Sequence, residues 1–283
     1  MPVDGSRLFC RDVGAGLPLV VLHGGPSFDH TYLRPELDRL ADFFHVVYYD
    51  QRGRGRSAAG VRPDDVSLGS ELEDLERVRS HFGAESVAVV GHSWGGLLAM
   101  EYALRHPARV SHLILLDTAP ASGDDWRLLL EAFDRRPPSD LEEMTAISST
   151  AAYECGDLEA DAAHIRAHFR MTVRRPAHLE TLVARLRSNF TEEGVLLART
   201  VGQRLVDESV GSPGYDLLPR LRRLDVPTLM FHGEHDFIPL ELVAPIADAI
   251  PGARLSVLAG CGHFPYLEDP DLVVGEVVRF CGG

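Results

Sequence analysis

The chain of 283 residues contains no lysine, and all 28 of its basic residues are arginine. Schiff-base catalysis by a lysine amine is thereby excluded. Acidic residues number 42, so the formal net charge is −14 and the sequence pI lies near 5.3. A balance of that sign repels phosphate backbones and anionic bilayers, and neither nucleic acid nor membrane is expected as a partner. Cysteine is scarce: Cys10, Cys155, Cys261 and Cys281 are scattered, with no Cys-x-x-Cys pair and no zinc spacing, as expected of free thiols in a reducing cytosol. No apolar run approaches the roughly 18 residues of a bilayer span. The opening Met-Pro-Val-Asp-Gly-Ser carries no basic, apolar leader. What is left by these exclusions is a protein expected in the cytoplasm.

What is present is a rhythm of short apolar runs alternating with helical spacing. Arg7–Arg11 reads as an edge strand, Asp12–Pro18 as a turn, and Leu19–Leu22 as a buried strand. Helical spacing is expected from about Tyr32 to Phe43, then a strand over His45–Tyr49. A helix over Ser67–Phe82 has Leu68, Leu72, Leu75, Val78 and Phe82 on one face. Strands are predicted at Val87–Val90, His112–Leu116, Val226–Phe231 and Arg254–Leu258, and helices at Leu97–Leu104, Leu240–Ile250 and Asp271–Phe280. This alternation predicts an α/β fold, a doubly wound, mostly parallel sheet covered on both faces. Residues 121–222 break the rhythm with helical pieces only, interrupted at Pro137-Pro138, Gly156, Pro176, Gly194 and Gly211-Ser-Pro213. They are expected to form a helical cap over a core domain of residues 1–120 and 223–283.

The chemistry gathers at predicted strand ends. Gly91-His-Ser-Trp-Gly95 lies where a strand passes into a helix, and a turn that sharp strains the serine backbone and lifts its hydroxyl clear of the sheet. Serine needs an imidazole as base, and the imidazole needs a carboxylate to orient it. Ser93, Asp236 and His263 each follow an apolar strand, in the chain order that this architecture uses. Asp117 also ends a strand and rivals Asp236 as the acid. The oxyanion that forms on a carbonyl needs two preorganised amides, expected from Trp94 and from Gly25 in His23-Gly-Gly-Pro26. Asp50-Gln-Arg-Gly53 and Gly55 are expected to brace that loop, with Asp50 bonded to backbone amides. Arg52, Arg54 and Arg56 read as solvated loop charges, because no phosphate-binding GxxxxGK[ST] accompanies them.

His23-Gly-Gly-Pro26, Asp50-Gln-Arg-Gly-x-Gly-x-Ser57 and Gly91-x-Ser-Trp-Gly-Gly96 resemble the α/β-hydrolase superfamily, and within it the proline iminopeptidases and their relatives. The resemblance covers nearly the whole chain except the cap. It implies serine acyl transfer, with Ser93 attacking, His263 carrying the proton and Asp236 orienting it, and a cap that shapes the pocket. It implies no metal and no cofactor.

The chain departs from that branch in places. His92 stands where iminopeptidases have glycine, and Gly233-Glu-His-Asp236 where they usually read Gly-Arg-Tyr-Asp. Iminopeptidases hold the substrate amine with cap carboxylates, one in a pattern like Arg-x-Glu-Asn-x-Tyr-Phe. In Ala184-Arg-Leu-Arg-Ser-Asn-Phe190, Arg187 takes the glutamate's place, and a cation repels an ammonium. Glu192, Glu193 or Glu208 could substitute. The expected activity is therefore serine hydrolysis of a small ester, lactone or amide. Release of N-terminal proline is the alternative, carbon–carbon bond hydrolysis or a lyase reaction comes third, and a non-enzymatic ligand receptor last.

Overall fold

The structure is a computed structural model describing residues 1–3 and 6–282; Asp4, Gly5 and Gly283 lie outside the described residues. Pro2–Val3 (β1) and Ser6–Arg7 (β2) form a small antiparallel pair. The main sheet contains Cys10–Val13 (β3), Leu17–Leu22 (β4), Phe44–Tyr49 (β5), Val87–His92 (β6), Val110–Leu116 (β7), Thr228–Gly233 (β8) and Arg254–Leu258 (β9). Its spatial order is β3-β5-β4-β6-β7-β8-β9, with β3 antiparallel and every other pairing parallel. β4, β6, β7 and β8 are interior strands, and their apolar residues alternate between two cores. Val20, Leu22, Val87, Val89, Leu113 and Leu115 join one. Leu19, Val21, Ala88, Val90, Ile114 and Leu116 join the other. Each fully buried side chain of this size stabilises the fold by about 1.5–3 kcal/mol.

Helices cover both faces. Leu68–His81 (α1), Trp94–Arg105 (α2) and, later in the chain, Leu240–Ala249 (α10) lie on the first face through Leu75, Val78, Leu97, Leu98, Val243 and Ile246. α1 begins at Ser67, whose hydroxyl accepts from Ser70 N–H at 3.1 Å. The second face takes Leu37 and Leu40 together with Val273 and Val277 of the closing helix Pro270–Gly282 (α12), preceded by the single turn Pro265–Glu268 (α11). Between β7 and β8 every regular element is helical: Gly123–Phe133 (α3), Pro138–Ser148 (α4), Ala151–Glu154 (α5), Leu158–Phe169 (α6), Pro176–Leu186 (α7), Glu192–Glu208 (α8) and Leu218–Leu221 (α9).

Four expectations are corrected. The helix expected over Tyr32–Phe43 is two 3-10 segments, His30–Leu33 and Glu36–Asp42. Pro35 is the cause, since it forces Arg34 into extended backbone (φ −116°, ψ 154°). The edge strand starts at Cys10 and takes in Asp12 and Val13, which were expected in the turn. Gly194 does not break a helix. It sits in the first turn of α8, where its N–H donates to the cap residue Thr191 at 3.1 Å.

The fourth correction concerns loop charge. Arg52 and Arg54 are buried, at 4% and 0% exposure, and are tied to α1. Arg52 makes a two-pronged contact with Asp74 at 2.9 and 2.7 Å, and Arg54 reaches Glu71 at 2.6 Å and Gln51 Oε1 at 2.6 Å. Only Arg56 lies outward, over the Phe9 ring and against Asn189. Sequence shows a run of arginines, but their acidic partners lie about one turn apart on a helix that the loop meets only after folding.

Replacing Arg54 by Met should therefore cost about 3–5 kcal/mol, because Glu71 stays buried without its cation. Urea unfolding of Arg54→Met and of Arg54→Met with Glu71→Leu tests this, with the double variant recovering most of the loss. An unchanged midpoint in the single variant would show that the pair adds nothing.

Candidate active site

β6 runs directly into α2 through Ser93, which has φ 55° and ψ −120°, a conformation that side chains rarely adopt. Three hydrogen bonds hold it there. Ser93 N–H donates to Leu116 O at 2.9 Å, and Ser93 O accepts from Gly96 N–H at 2.9 Å and Ala119 N–H at 3.1 Å. Gly95 has no room for a side chain, since a Cβ there would lie 2.4 Å from Leu22 O. α2 thus packs hard against the end of β4, and its first amide, Trp94 N–H, is left without an acceptor within the helix.

The loop after β4 supplies the facing wall. Gly24 N–H is already engaged, donating to Tyr32 Oη at 2.8 Å. Gly25 has φ 123°, a Cβ there would meet Ser27 N at 2.2 Å, and the residue lines the same cavity as Ser93. Its amide makes no hydrogen bond among the described residues. Pro26 packs against Gly202 of α8. His23 of this loop meets the segment that follows β5. Gln51 N–H donates to His23 Nε2 at 3.0 Å and Gln51 Nε2 to His23 O at 2.9 Å. Burial lowers the His23 pKa to about 3, so the ring is neutral and free to accept. Asp50 accepts from Arg56 N–H at 2.9 Å and pairs with His30 Nδ1 at 2.5 Å.

Asp236 follows β8 and His263 follows β9. His263 Nδ1–H donates to Asp236 Oδ1 at 2.8 Å, and both side chains are nearly sealed from solvent, at 2% and 0%. Burial lowers the His263 pKa to about 3, which leaves its imidazole neutral at pH 7. Two contacts fix the ring's backbone: His263 N–H donates to Thr172 O at 3.2 Å, and His92 Nε2–H donates to His263 O at 2.8 Å. His92 Nδ1 in turn accepts from Tyr32 O–H at 2.8 Å. One buried tyrosine thus links the Gly24 amide, His92 and, through it, the His263 loop. Sequence reading registered His92 only as a departure from a motif. The signal lay in its place beside Ser93, with two ring nitrogens able to tie two loops.

Asp117 lies beside Asp236, and no hydrogen bond from it to His263 is found among the described residues. It has φ 43°, and its Oδ1 accepts from Gly233 N–H at 2.8 Å. Its Oδ2, Asp236 Oδ2 and His232 Nδ1 lie within 4.8 Å of one another, all buried and without another partner. Burial, then repulsion from Asp236, holds the Asp117 carboxyl well above the usual carboxylate range.

Two chambers open on Ser93. One, of about 200 Å³, is walled by His263 and Phe28 on the sheet side and by Asp161, Arg187 and Arg199 from the helical insertion. The other, of about 130 Å³, is apolar, lined by Trp126, Leu129 and Phe133 of α3 with Ile238. Of the four residues considered for a substrate contact, Arg187 lies on the wall. Glu192 and Glu193 are exposed at the start of α8, and Glu208 is exposed at its end, accepting from Leu68 N–H at 3.0 Å. None of the three lines either chamber, because the solvent face of α8 carries them.

The family model described as the alpha/beta hydrolase fold matches residues 18–270. This chain belongs to that family. The hydrolase is 28% identical over 282 residues to the proline iminopeptidase of Lactobacillus delbrueckii subsp. lactis, covering 95% of this chain and 92% of the relative. It is 30% identical over 271 residues to that of Clostridium botulinum, covering 93% and 89%. Among solved structures, the proline iminopeptidase of Mycobacterium smegmatis is similar with a TM-score of 0.72 at 25% identity, over 99% and 96% of the two chains. Est816, described as an N-acyl homoserine lactone degrading enzyme, has a TM-score of 0.70 at 26% identity over 98% of each chain.

The hydroxyl of Tyr32 is the shared partner of two otherwise orphaned groups. Tyr32→Phe should lower stability by about 1–3 kcal/mol and speed hydrogen exchange at the Gly24 amide. Unchanged urea midpoint and exchange would show that the link is dispensable.

Proposed function

We infer that this hydrolase cleaves a small ester, lactone or amide by acyl transfer to Ser93. The observation that carries this reading is the 2.8 Å bond from His263 to Asp236 on the wall of the cavity that also exposes Ser93. In the reaction, Ser93 Oγ attacks the carbonyl carbon as its proton passes to His263 Nε2, and Asp236 holds the resulting imidazolium through Nδ1–H. The carbonyl electron pair moves to oxygen, where Gly25 and Trp94 N–H receive it. Collapse of this intermediate breaks the bond to the leaving alkoxide or amine, which takes the proton from His263. Water then repeats the sequence on the acyl-serine and releases the acid. The helical insertion serves as the cap that closes the pocket.

Release of N-terminal proline is the second reading, favoured by the names of the relatives. An ammonium needs a carboxylate in the pocket. Asp161 is the one acid among the described residues lining the larger chamber, and both its oxygens are bonded to arginines, Oδ2 to Arg187 and Oδ1 to Arg199. That arrangement supports the ester, lactone or amide reading.

Asp117 has a supporting role in this scheme. Two buried carboxyls facing each other retain one proton between them. Burial pushes the Asp236 pKa up as well, to about 8, but the N–H bonds it accepts from Ile238 and His263 favour its ionised form, so the negative charge goes to Asp236 and the retained proton to Asp117, on the side facing Asp236 Oδ2. The groups around the pair are His232, His263 and Glu268.

Ser93→Ala should reduce kcat/KM by on the order of 10⁴-fold or more with the fold retained; chromogenic esters and far-UV circular dichroism test both halves, and a variant with most of its activity would remove the mechanism. For Asp117, removing the donor disfavours ionised Asp236 and raises its pKa. Asp117→Ala should therefore shift the acid limb of kcat/KM to higher pH, while Asp117→Asn, whose amide still donates, keeps the wild-type limb. Identical profiles for the two variants would eliminate the shared proton.

A further inference from the structure

Resting on the acyl-hydrolase reading above, we propose that the substrate carries a carboxylate, seated against Arg187 and Arg199 in the larger chamber, with its apolar portion in the smaller one. The argument begins with charge. The charged side chains lining the larger chamber are Asp161, Arg187 and Arg199, one anion against two cations. The ring nitrogens do not alter that sum. Burial lowers the pKa of His92, His164, His168 and His263, so all four are neutral near pH 7. A surplus positive charge thus stands on a wall where Asp161 is 2% and Arg187 9% exposed. Uncompensated charge in such a place is costly, and an anionic ligand supplies what is missing.

Geometry adds a second argument. Each guanidinium is seated against aromatic rings: the Arg199 guanidinium carbon lies 3.5 Å from the Tyr153 ring centre, and that of Arg187 lies 4.8 Å from the Phe190 ring centre and 5.3 Å from that of Phe28. A guanidinium donates in its plane: Arg187 uses Nε on Asp161 and Nη1 on Leu186 O and Ser27 O, Arg199 uses Nη1 on Tyr153 O and Nη2 on Asp161, and Arg187 Nη2 and Arg199 Nε are left without an acceptor among the described residues, for a carboxylate to meet. Asp161 holds the pair in register and neutralises one of them.

Shape sets the rest. Ser93 and Gly25 border both chambers, which places the scissile carbonyl between them. A cavity of about 150 Å³ takes benzene, so the apolar chamber of about 130 Å³ suits a short alkyl or small ring, and the cationic one of about 200 Å³ suits a short acid. The substrate class is a small ester or lactone that ends in a carboxylate on one side of the scissile bond.

The test compares two aryl esters of equal chain length, mono-4-nitrophenyl glutarate and 4-nitrophenyl pentanoate, with rates taken net of Ser93→Ala. The glutarate ester should have the higher kcat/KM by roughly 10- to 100-fold, carried mainly in KM, the range of a charge-assisted hydrogen bond. Arg187→Gln and Arg199→Gln should each pull that ratio toward one. Equal or better use of the pentanoate ester overturns the carboxylate while leaving the acyl hydrolase intact. A second measurement does not depend on turnover or on the arginine variants: calorimetric titration of Ser93→Ala with glutarate, glutaramide and prolinamide. Binding of glutarate alone supports the anion site even if neither ester is cleaved, an outcome that would instead remove the acyl-transfer reading. Tighter binding of prolinamide overturns the proposal and restores an amine site.

Discussion

Ser93 holds a backbone conformation that costs about 1–3 kcal/mol, and the rest of the site is arranged around keeping it there. The bonds that fix it come from different parts of the sheet: Leu116 at the end of β7, Ala119 beyond it, and Gly96 in the helix it starts. The close approach of Gly95 to the end of β4 locks the same helix against a third strand. Because these anchors lie on neighbouring parallel strands, the strain is spread over the most buried part of the molecule. The elbow is rigid because its supports are interior strands.

The supports of the loop that follows β4 obey the same logic with charge in place of strain. Gln51, in the loop that follows β5, ties down His23, and Arg52 and Arg54 fasten that second loop onto α1 through Asp74 and Glu71. Burying four charges in two pairs contributes little net stability but fixes one geometry, since each pair is satisfied in a single arrangement. In the proposed mechanism the loop after β4 holds an amide ready for a transient oxyanion, a task that benefits from that kind of uniqueness.

Much of this was legible in the sequence because it is local. The apolar runs Val87–Val90 and Leu113–Leu116 mark interior strands, and a glycine-flanked serine between a strand and a helix marks the elbow. The order Ser93, Asp236, His263 needed only the βα rhythm to place all three at one sheet edge. What the sequence hid was pairing across distance. Asp161, Arg187 and Arg199 lie on or beside three helices, and nothing in their local patterns says that they meet. Arg52 and Arg54 looked like solvent charges because their partners are on another element. That the Asp117 carboxyl meets Asp236 and His232, while His263 bonds to Asp236, shows only in the folded chain. Tyr32 was read as part of a regular helix, when Pro35 instead leaves it in a short turn with its hydroxyl turned toward Gly24 and His92.

The bond from the His263 amide to Thr172 has a mechanical consequence. Thr172 belongs to the stretch between α6 and α7, the helices that carry or adjoin Asp161 and Arg187. Any displacement of that stretch would strip the acceptor from the backbone amide of His263. The backbone of His263 and the helical insertion are therefore coupled, and a shift of either is felt by the other through a single hydrogen bond.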